Sequence, residues 1–215
     1  MSTRGSFELV APPLTPVHIT TIASDNGISL KCGLVPRAGL DINANVYAND
    51  SLVTMRNTLI ISRNRTVSEC VPFYINPIQP MFVRLLATGA LGFSSLRFFF
   101  IDETSLIKNE SSGSLYLQVS KNEGMELQDV LLQDIIRSEQ ISAPWWTLEH
   151  PNRHARMVET QRELLVARDL IPLNELKIVS SESGDAAVFA WLKLRYELAI
   201  KSATSYKPQW VSKTV

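Results

Sequence analysis

Few residues in this chain combine the types and spacing that catalysis requires. Asp102 and Glu103 are adjacent carboxylates after an apolar run, and paired carboxylates can hold a divalent metal ion for hydrolysis. A metal site of this kind also needs a third acid, and the next predicted strand with its flank, Ser114–Lys121, supplies none, so a solvated turn is the simpler interpretation. His150 and His154 have a metal-ligand spacing, but Pro151 places His150 at a helix boundary and the glutamate of the metalloprotease motif is missing. The sequence therefore predicts no catalytic residue and no metal ligand.

A cluster of arginines near an aromatic side chain is the best candidate for nucleic-acid binding. Its members are Arg56, Arg63, Arg65 and Tyr74. Single-stranded nucleic acid is commonly held by cations on the phosphates and by aromatic rings against the bases. Acidic residues nearby in the sequence would weaken this patch, and an ordinary charged rim is the alternative.

Prolines and tryptophans supply candidate contacts between subunits. Pro12 and Pro13 lie in an N-terminal stretch that neither a helix nor a central strand accommodates, which is typical of an extended arm. Trp145, Trp146 and Trp191 are large aromatic side chains of the kind that anchor interfaces. These five residues are the predicted self-association sites.

Composition excludes several classes of function. The 215 residues are 45% hydrophobic and 20% charged, with 21 basic and 21 acidic residues. This balance argues against long-range attraction to nucleic acid or to anionic membranes. We find no apolar run long enough for a transmembrane segment and no signal peptide at the N-terminus, so we expect a cytoplasmic protein. We expect no cofactor, because no cofactor-binding motif stands out.

The first half of the chain has the two-residue periodicity of strands. Short alternating or apolar segments recur between turn signals. The clearest predicted strands are His18–Ile22, Ile28–Val35, Ile42–Tyr47, Leu52–Ser62, Val67–Ile75, Leu96–Ile101 and Ser114–Val119. Pro72 would place its strand at a sheet edge or a bulge. Met81–Ala87 is compatible with either a strand or a helical turn.

The second half has helical spacing. It predicts about three helices, over Glu126–Ser138, from Pro151 to Asp169, and from Ser183 to Ala203. The predicted fold class is therefore α+β and β-rich: an antiparallel β-sandwich or jelly-roll-like barrel followed by a C-terminal helical layer. We expect a Pro-rich arm over residues 1–17, a sandwich domain over 18–120, a helical region over 121–206 and a loose tail over 207–215.

Two stretches resemble the plant-virus thirty-kilodalton movement-protein superfamily, which is related to single-jelly-roll coat proteins. The first combines Ile28–Val35 with Leu52–Ser62, and the second runs from Val71–Ile75 through Leu85-Leu86 to residues 92–98. The resemblance implies a jelly roll, and it also implies binding to single-stranded RNA. The density of strands, the Pro-rich arm, a third helix that is apolar on two sides and the absence of a catalytic motif lead us to expect a non-enzymatic viral structural protein of coat or matrix type. We expect it to self-associate through its arm and helices in the host cytoplasm or virion. A cell-to-cell movement protein is the first alternative, and a metal-dependent hydrolase or nuclease using Asp102 and Glu103 is the second.

Overall fold

Helices and strands alternate along most of the chain. The computed structural model describes residues 15–22, 32–36, 38, 56–62, 65–120, 123–126, 131–182 and 184–205. The strands are β1 Val17–Thr21, β2 Ile60–Ser62, β3 Arg65–Thr66, β4 Val71–Tyr74, β5 Leu96–Ile101, β6 Leu115–Ser120, β7 Glu123–Glu126, β8 Glu163–Val166 and β9 Leu176–Ser180. The α-helices are α1 Pro80–Ala87, α2 Glu103–Ser111, α3 Leu132–Ile141, α4 Asn152–Thr160 and α5 Ala186–Ser205. Among these residues, no helix is both long and apolar enough to span a membrane.

Seven of the strands form one antiparallel sheet in the order β7-β6-β8-β4-β1-β5-β9, and β2 pairs with β3. The α+β class and the antiparallel pairing are as predicted. The predicted arrangement of a sandwich or jelly-roll barrel followed by helices is wrong, because strands from both sides of residue 121 interleave in one sheet. No closed barrel is present within the described ranges.

Helices cover both faces of the sheet, and β5 shows why. All six residues of β5 are buried, as the sequence predicts for a strand between two layers. Phe98 and Phe100 enter a core that contains residues of α1 and α5, whereas Phe99 enters a second core with residues of α2 and α3. The alternation of side chains along the strand thus builds two hydrophobic layers from one phenylalanine run.

Several predicted elements differ from the observed ones. Residues 56–58 are helical, although they lie within the predicted strand Leu52–Ser62. The predicted helix from Pro151 to Asp169 ends at Thr160 and gives way to β8. The segment Met81–Ala87, left open between strand and helix, is helical. The predicted strand Ile42–Tyr47, and nearly all of the predicted arm and tail, lie outside the described residues.

Pro72 lies in an interior strand rather than at the predicted edge or bulge. Its strand, β4, is flanked by β8 and β1. The Pro72 carbonyl accepts a hydrogen bond from Nδ1 of His18 at 2.9 Å, so this side of Pro72 faces β1. The backbone nitrogen of a strand residue points to the same side as its carbonyl, and the ladder with β1 pairs only Val17 with Tyr74. The missing N–H of proline is therefore tolerated there.

Candidate active site

The candidate site lies where β4 ends and β8 begins. Tyr74 is the last residue of β4, Glu163 is the first residue of β8, and the two are directly opposite in the antiparallel ladder. Val17, the first residue of β1, is opposite Tyr74 on its other side. Directly opposed residues share one face of a sheet, so Val17, Tyr74 and Glu163 form a row across three strands. A single carboxylate thus ends an otherwise apolar and aromatic row.

Glu163 is a buried acid with a cationic partner. The residue is 8% exposed, and its carboxylate forms an ion pair with the guanidinium of Arg56. The Arg56 side chain keeps 32% of its surface exposed, so the pair reaches from the protein interior to solvent. Glutamates are rarely buried unless they are paired, because burial removes their hydration. A carboxylate that a protein buries at the boundary of a sheet is a candidate functional group.

Tyr74 is directly opposite the residue that carries this carboxylate, on the same face of the sheet. Burial is the main cause that raises the pKa of the Tyr74 phenol well above its usual range, and the charge of Glu163 adds to the effect. The hydroxyl therefore remains protonated and can donate a hydrogen bond to Glu163. Glu163 accordingly has a cationic donor on its exposed side and a neutral donor on the sheet.

The segment that follows Tyr74 is held by buried hydrogen bonds. The Tyr196 hydroxyl of α5 donates to the Pro77 carbonyl at 2.7 Å, and Trp145 Nε1 donates to the Ile78 carbonyl at 3.1 Å. Gln79, which is 1% exposed, donates through Nε2 to the Thr160 carbonyl at 2.8 Å. The first two bonds hold the segment after β4 to α5 and to the turn that contains Trp145, and the Gln79 bond holds it to Thr160 at the end of α4. The chain enters β8 at Glu163, three residues after Thr160.

A buried ion pair holds α4 against α3. Arg156 of α4 donates from Nη2 and Nη1 to the two carboxylate oxygens of Glu139 at 2.6 and 2.9 Å. The two side chains are only 10% and 9% exposed. Bidentate geometry restricts the orientation of both partners. Since α4 leads into β8, this pair helps to fix the position at which the chain enters β8 at Glu163.

His18 belongs to a different layer. It follows Val17 in β1, so its ring lies on the opposite face of the sheet from the row that contains Glu163. Its ring centroid is 6.1 Å from that of Phe73 and 6.4 Å from that of Phe99. The hydrogen bond to Pro72 and these aromatic contacts hold the His18 ring on that face.

The family of the chain is shown by its match to a family model. A model of the family described as DarT, ssDNA thymidine ADP-ribosyltransferase, matches residues 17–211. The chain belongs to the DarT family. No curated protein matches the sequence.

Solved DarT structures share the fold. Thermosipho africanus DarTG in complex with ADP-ribose superposes with a TM-score of 0.60 at 18% identity, over 86% of this chain and 47% of that chain. The present chain thus spans about half the length of that relative. Thermus sp. 2.9 DarT in complex with ADP-ribosylated ssDNA gives a TM-score of 0.57 at 17% identity, over 89% and 91% of the two chains. Thermus sp. 2.9 DarT in complex with NAD+ gives a TM-score of 0.50 at 15% identity, over 89% of this chain and 92% of that chain.

Membership in the DarT family corrects the main functional predictions. The predicted resemblance to plant-virus movement and coat proteins is wrong, because a family model of DarT covers most of the chain. The prediction of a non-enzymatic viral structural protein is wrong for the same reason, since the family is one of transferases. The metal-dependent hydrolase alternative is overturned as well. Asp102 caps α2 by accepting from the Ser105 N–H at 2.8 Å, and the described residues contain no cluster of three metal-ligating side chains.

Two of the predicted nucleic-acid residues meet at the DarT candidate site. Arg56 forms an ion pair with Glu163, and Tyr74 is directly opposite Glu163 in the ladder. Arg65 instead donates to the Asp169 carboxylate at 3.0 Å, in the segment after β8. Arg63 lies outside the described residues.

The predicted self-association residues are not surface anchors where the structure describes them. Trp145, Trp146 and Trp191 are 2%, 8% and 6% exposed and belong to the core between the sheet, α1 and α5. Aromatic side chains fill a core as readily as an interface, and the sequence does not distinguish the two. Pro12 and Pro13 lie outside the described residues.

Glu163 is the residue that sequence reasoning missed. The stretch Glu163-Leu164-Leu165-Val166 was included in a predicted helix, where an acid on one face is unremarkable. All four residues are buried. A charged residue at the start of a short apolar run was the available signal, because an acid that is buried in a strand is rarely found without a partner and a specific role.

Proposed function

We propose that this chain transfers ADP-ribose from NAD+ to thymidine in single-stranded DNA, with Glu163 as the catalytic carboxylate. The match to the DarT family over residues 17–211 supports the reaction class. The observation that carries the assignment of Glu163 is its burial at the sheet boundary beside Arg56 and Tyr74. NAD+ is a consumed substrate in this proposal and not a resident cofactor.

The chemistry requires one bond to break and one to form. The bond between the ribose C1′ and the nicotinamide nitrogen breaks, and nicotinamide leaves with the electron pair. An acceptor atom of thymidine forms the new bond to C1′ and releases its proton. Glu163 is proposed to accept that proton, and its negative charge also opposes the positive charge that develops on the ribose as nicotinamide leaves.

Arg56 is proposed to bind phosphate when substrate arrives. Its guanidinium is partly exposed while it is paired with Glu163, and a guanidinium binds phosphate oxygens with the same forked geometry that it uses for carboxylates. The pyrophosphate of NAD+ or a DNA phosphate would compete with Glu163 for Arg56. Such an exchange would release the carboxylate for proton transfer.

The partner prediction is carried forward in modified form. Contact of Arg56, Arg63 and Arg65 with single-stranded nucleic acid stays a prediction, and we now propose DNA as the strand in place of RNA. A cytoplasmic location also stays a prediction, since NAD+ and transiently single-stranded DNA are both accessible there.

Labelled NAD+ and short oligonucleotides test the function. Wild-type protein is expected to attach label to a single-stranded DNA that contains thymidine, and not to the same sequence without thymidine or to an RNA containing uridine. Glu163→Gln should lower the rate by about 10²- to 10⁴-fold, the range for loss of a general base. Glu149→Gln is the matched control, because Glu149 is exposed and lies outside the site. Equal activity of the Glu163→Gln and Glu149→Gln variants would remove Glu163 from the mechanism.

A further inference from the structure

Tyr74 occupies a position that its sequence neighbours do not explain. It alternates with the buried residues Val71 and Phe73 and lies on the face of Val17 and Glu163. A phenylalanine would fill the apolar part of this row equally well. The phenolic hydroxyl is the only feature of Tyr74 that requires a polar partner, and Glu163 is the residue directly opposite Tyr74 in the ladder between β4 and β8.

We propose that Tyr74 is a positioning residue that holds the Glu163 carboxylate in its reactive orientation. This inference rests on the proposed function of Glu163. Direct opposition in the β ladder sets the distance between the two Cβ atoms through backbone hydrogen bonds, so the hydroxyl approaches the carboxylate from a fixed direction. Arg56 cannot supply the same restraint, because its side chain is partly exposed and would leave Glu163 when phosphate binds.

The surroundings of Tyr74 make the restraint rigid. Its ring packs against the core that contains Val17, α1 and α5. The segment after it is held by the Tyr196 hydroxyl on the Pro77 carbonyl and by Gln79 on the Thr160 carbonyl. The Gln79 bond connects the segment after β4 to Thr160, the last residue of α4, three residues before Glu163. Tyr74 and Glu163 are therefore joined through the ladder between β4 and β8 and also through the bond between Gln79 and Thr160.

Removal of the hydroxyl alone tests the proposal. Tyr74→Phe keeps the ring and its packing, whereas the matched control Tyr116→Phe removes a buried hydroxyl that donates to the Gly113 carbonyl at 3.0 Å, away from Glu163. We expect Tyr74→Phe to lower kcat about tenfold to a hundredfold with KM for NAD+ nearly unchanged, since misplacement of a reacting group costs rate rather than binding. Tyr116→Phe should leave both constants near their wild-type values. Unchanged kcat in Tyr74→Phe, or an equal loss in both variants, would overturn the proposal.

A melting experiment tests the contact without relying on activity. Tyr74→Phe should lower Tm in the wild-type background but leave it unchanged or raised in a Glu163→Ala background, where the hydroxyl has lost its acceptor. Equal lowering in both backgrounds would overturn the inference even if the enzyme is active. If the wild-type chain fails to modify DNA, the proposed function falls, and the two melting differences still decide whether Tyr74 holds Glu163.

Discussion

Replacing Arg156 by methionine removes the guanidinium that joins α3 to α4. In the native chain this group donates two hydrogen bonds to the Glu139 carboxylate, at 2.6 and 2.9 Å. It also donates to Glu159 at 3.2 Å and to the Ala143 carbonyl at 3.3 Å. Methionine can fill the apolar part of the space but cannot donate to any of these oxygens.

The expected loss of stability follows from what remains buried. Glu139 is 9% exposed, and after the change its nearest described donor is the Asn76 amide at 3.5 Å. Removal of one partner from a buried ion pair costs about 3–5 kcal/mol, because the other charge stays desolvated without compensation. For a chain of this size each kcal/mol corresponds to about 2–4 °C, so Tm should fall by about 6–20 °C.

Calorimetry and urea unfolding measure both quantities. Arg137→Met is the matched control, since Arg137 is an exposed arginine on α3, and its effect should stay within about 0.5 kcal/mol. Adding Glu139→Leu to Arg156→Met should restore much of the lost stability by removing the unpaired carboxylate. A loss in Arg156→Met no larger than in Arg137→Met, or no recovery in the double variant, would refute this reasoning.

Three further predictions concern single side chains. The Arg168 guanidinium holds the pKa of the Glu175 carboxyl below its ordinary 4.5. The ion pair therefore stabilises the folded state fully above pH 4.5, and this stabilisation is lost as the pH falls through the lowered pKa of Glu175. The difference in unfolding free energy between wild type and Glu175→Gln should therefore shrink on acidification in urea titrations; a constant difference would contradict this. Burial raises the pKa of the Cys70 thiol to about 12, so mass spectrometry should find iodoacetamide on exposed Cys32 alone in the folded chain at pH 8, and on both cysteines after unfolding. Trp145→Ala should cost about 3–5 kcal/mol in thermal unfolding, whereas an interface role would leave monomer stability unchanged.

The sequence predicted elements whose signal is local. Leu96–Ile101 is a strand buried on both faces, with Phe98 and Phe100 opposite in direction to Phe99. Its three consecutive phenylalanines favour a strand over a helix, because aromatic residues are enriched in strands. The last helix also forms close to its predicted range, since its apolar stripe extends over several turns. Its start is capped by Asp185, whose carboxylate accepts from the Val188 N–H at 3.1 Å.

Short buried strands were not predictable in the same way. A run of three apolar residues, such as Leu164-Leu165-Val166 of β8, fits a strand or one turn of a helix equally well, and periodicity cannot decide between them. What decides is pairing with β4 and β6, which lie far away in the sequence. The predicted order of sandwich first and helices afterwards failed at this point.

The candidate site depends on the same long-range pairing. Arg56 and Tyr74 were recognised as functional residues, although for contact with nucleic acid. Glu163 was not, because its chemistry appears only when β4 and β8 align and place it opposite Tyr74. Residue types alone therefore identified Arg56 and Tyr74 but not Glu163, whose carboxylate pairs with Arg56 and which lies opposite Tyr74.

The most direct test of the account is the intact mass of a DNA oligonucleotide that carries one thymidine, after incubation with the wild-type chain and NAD+. We predict a gain of one ADP-ribose unit, located at the thymidine by fragmentation, with release of an equal amount of nicotinamide. In the Glu163→Gln variant the rate of this gain should be about 10²- to 10⁴-fold lower. An oligonucleotide of unchanged mass, or an ADP-ribose unit located on another base, would contradict the account.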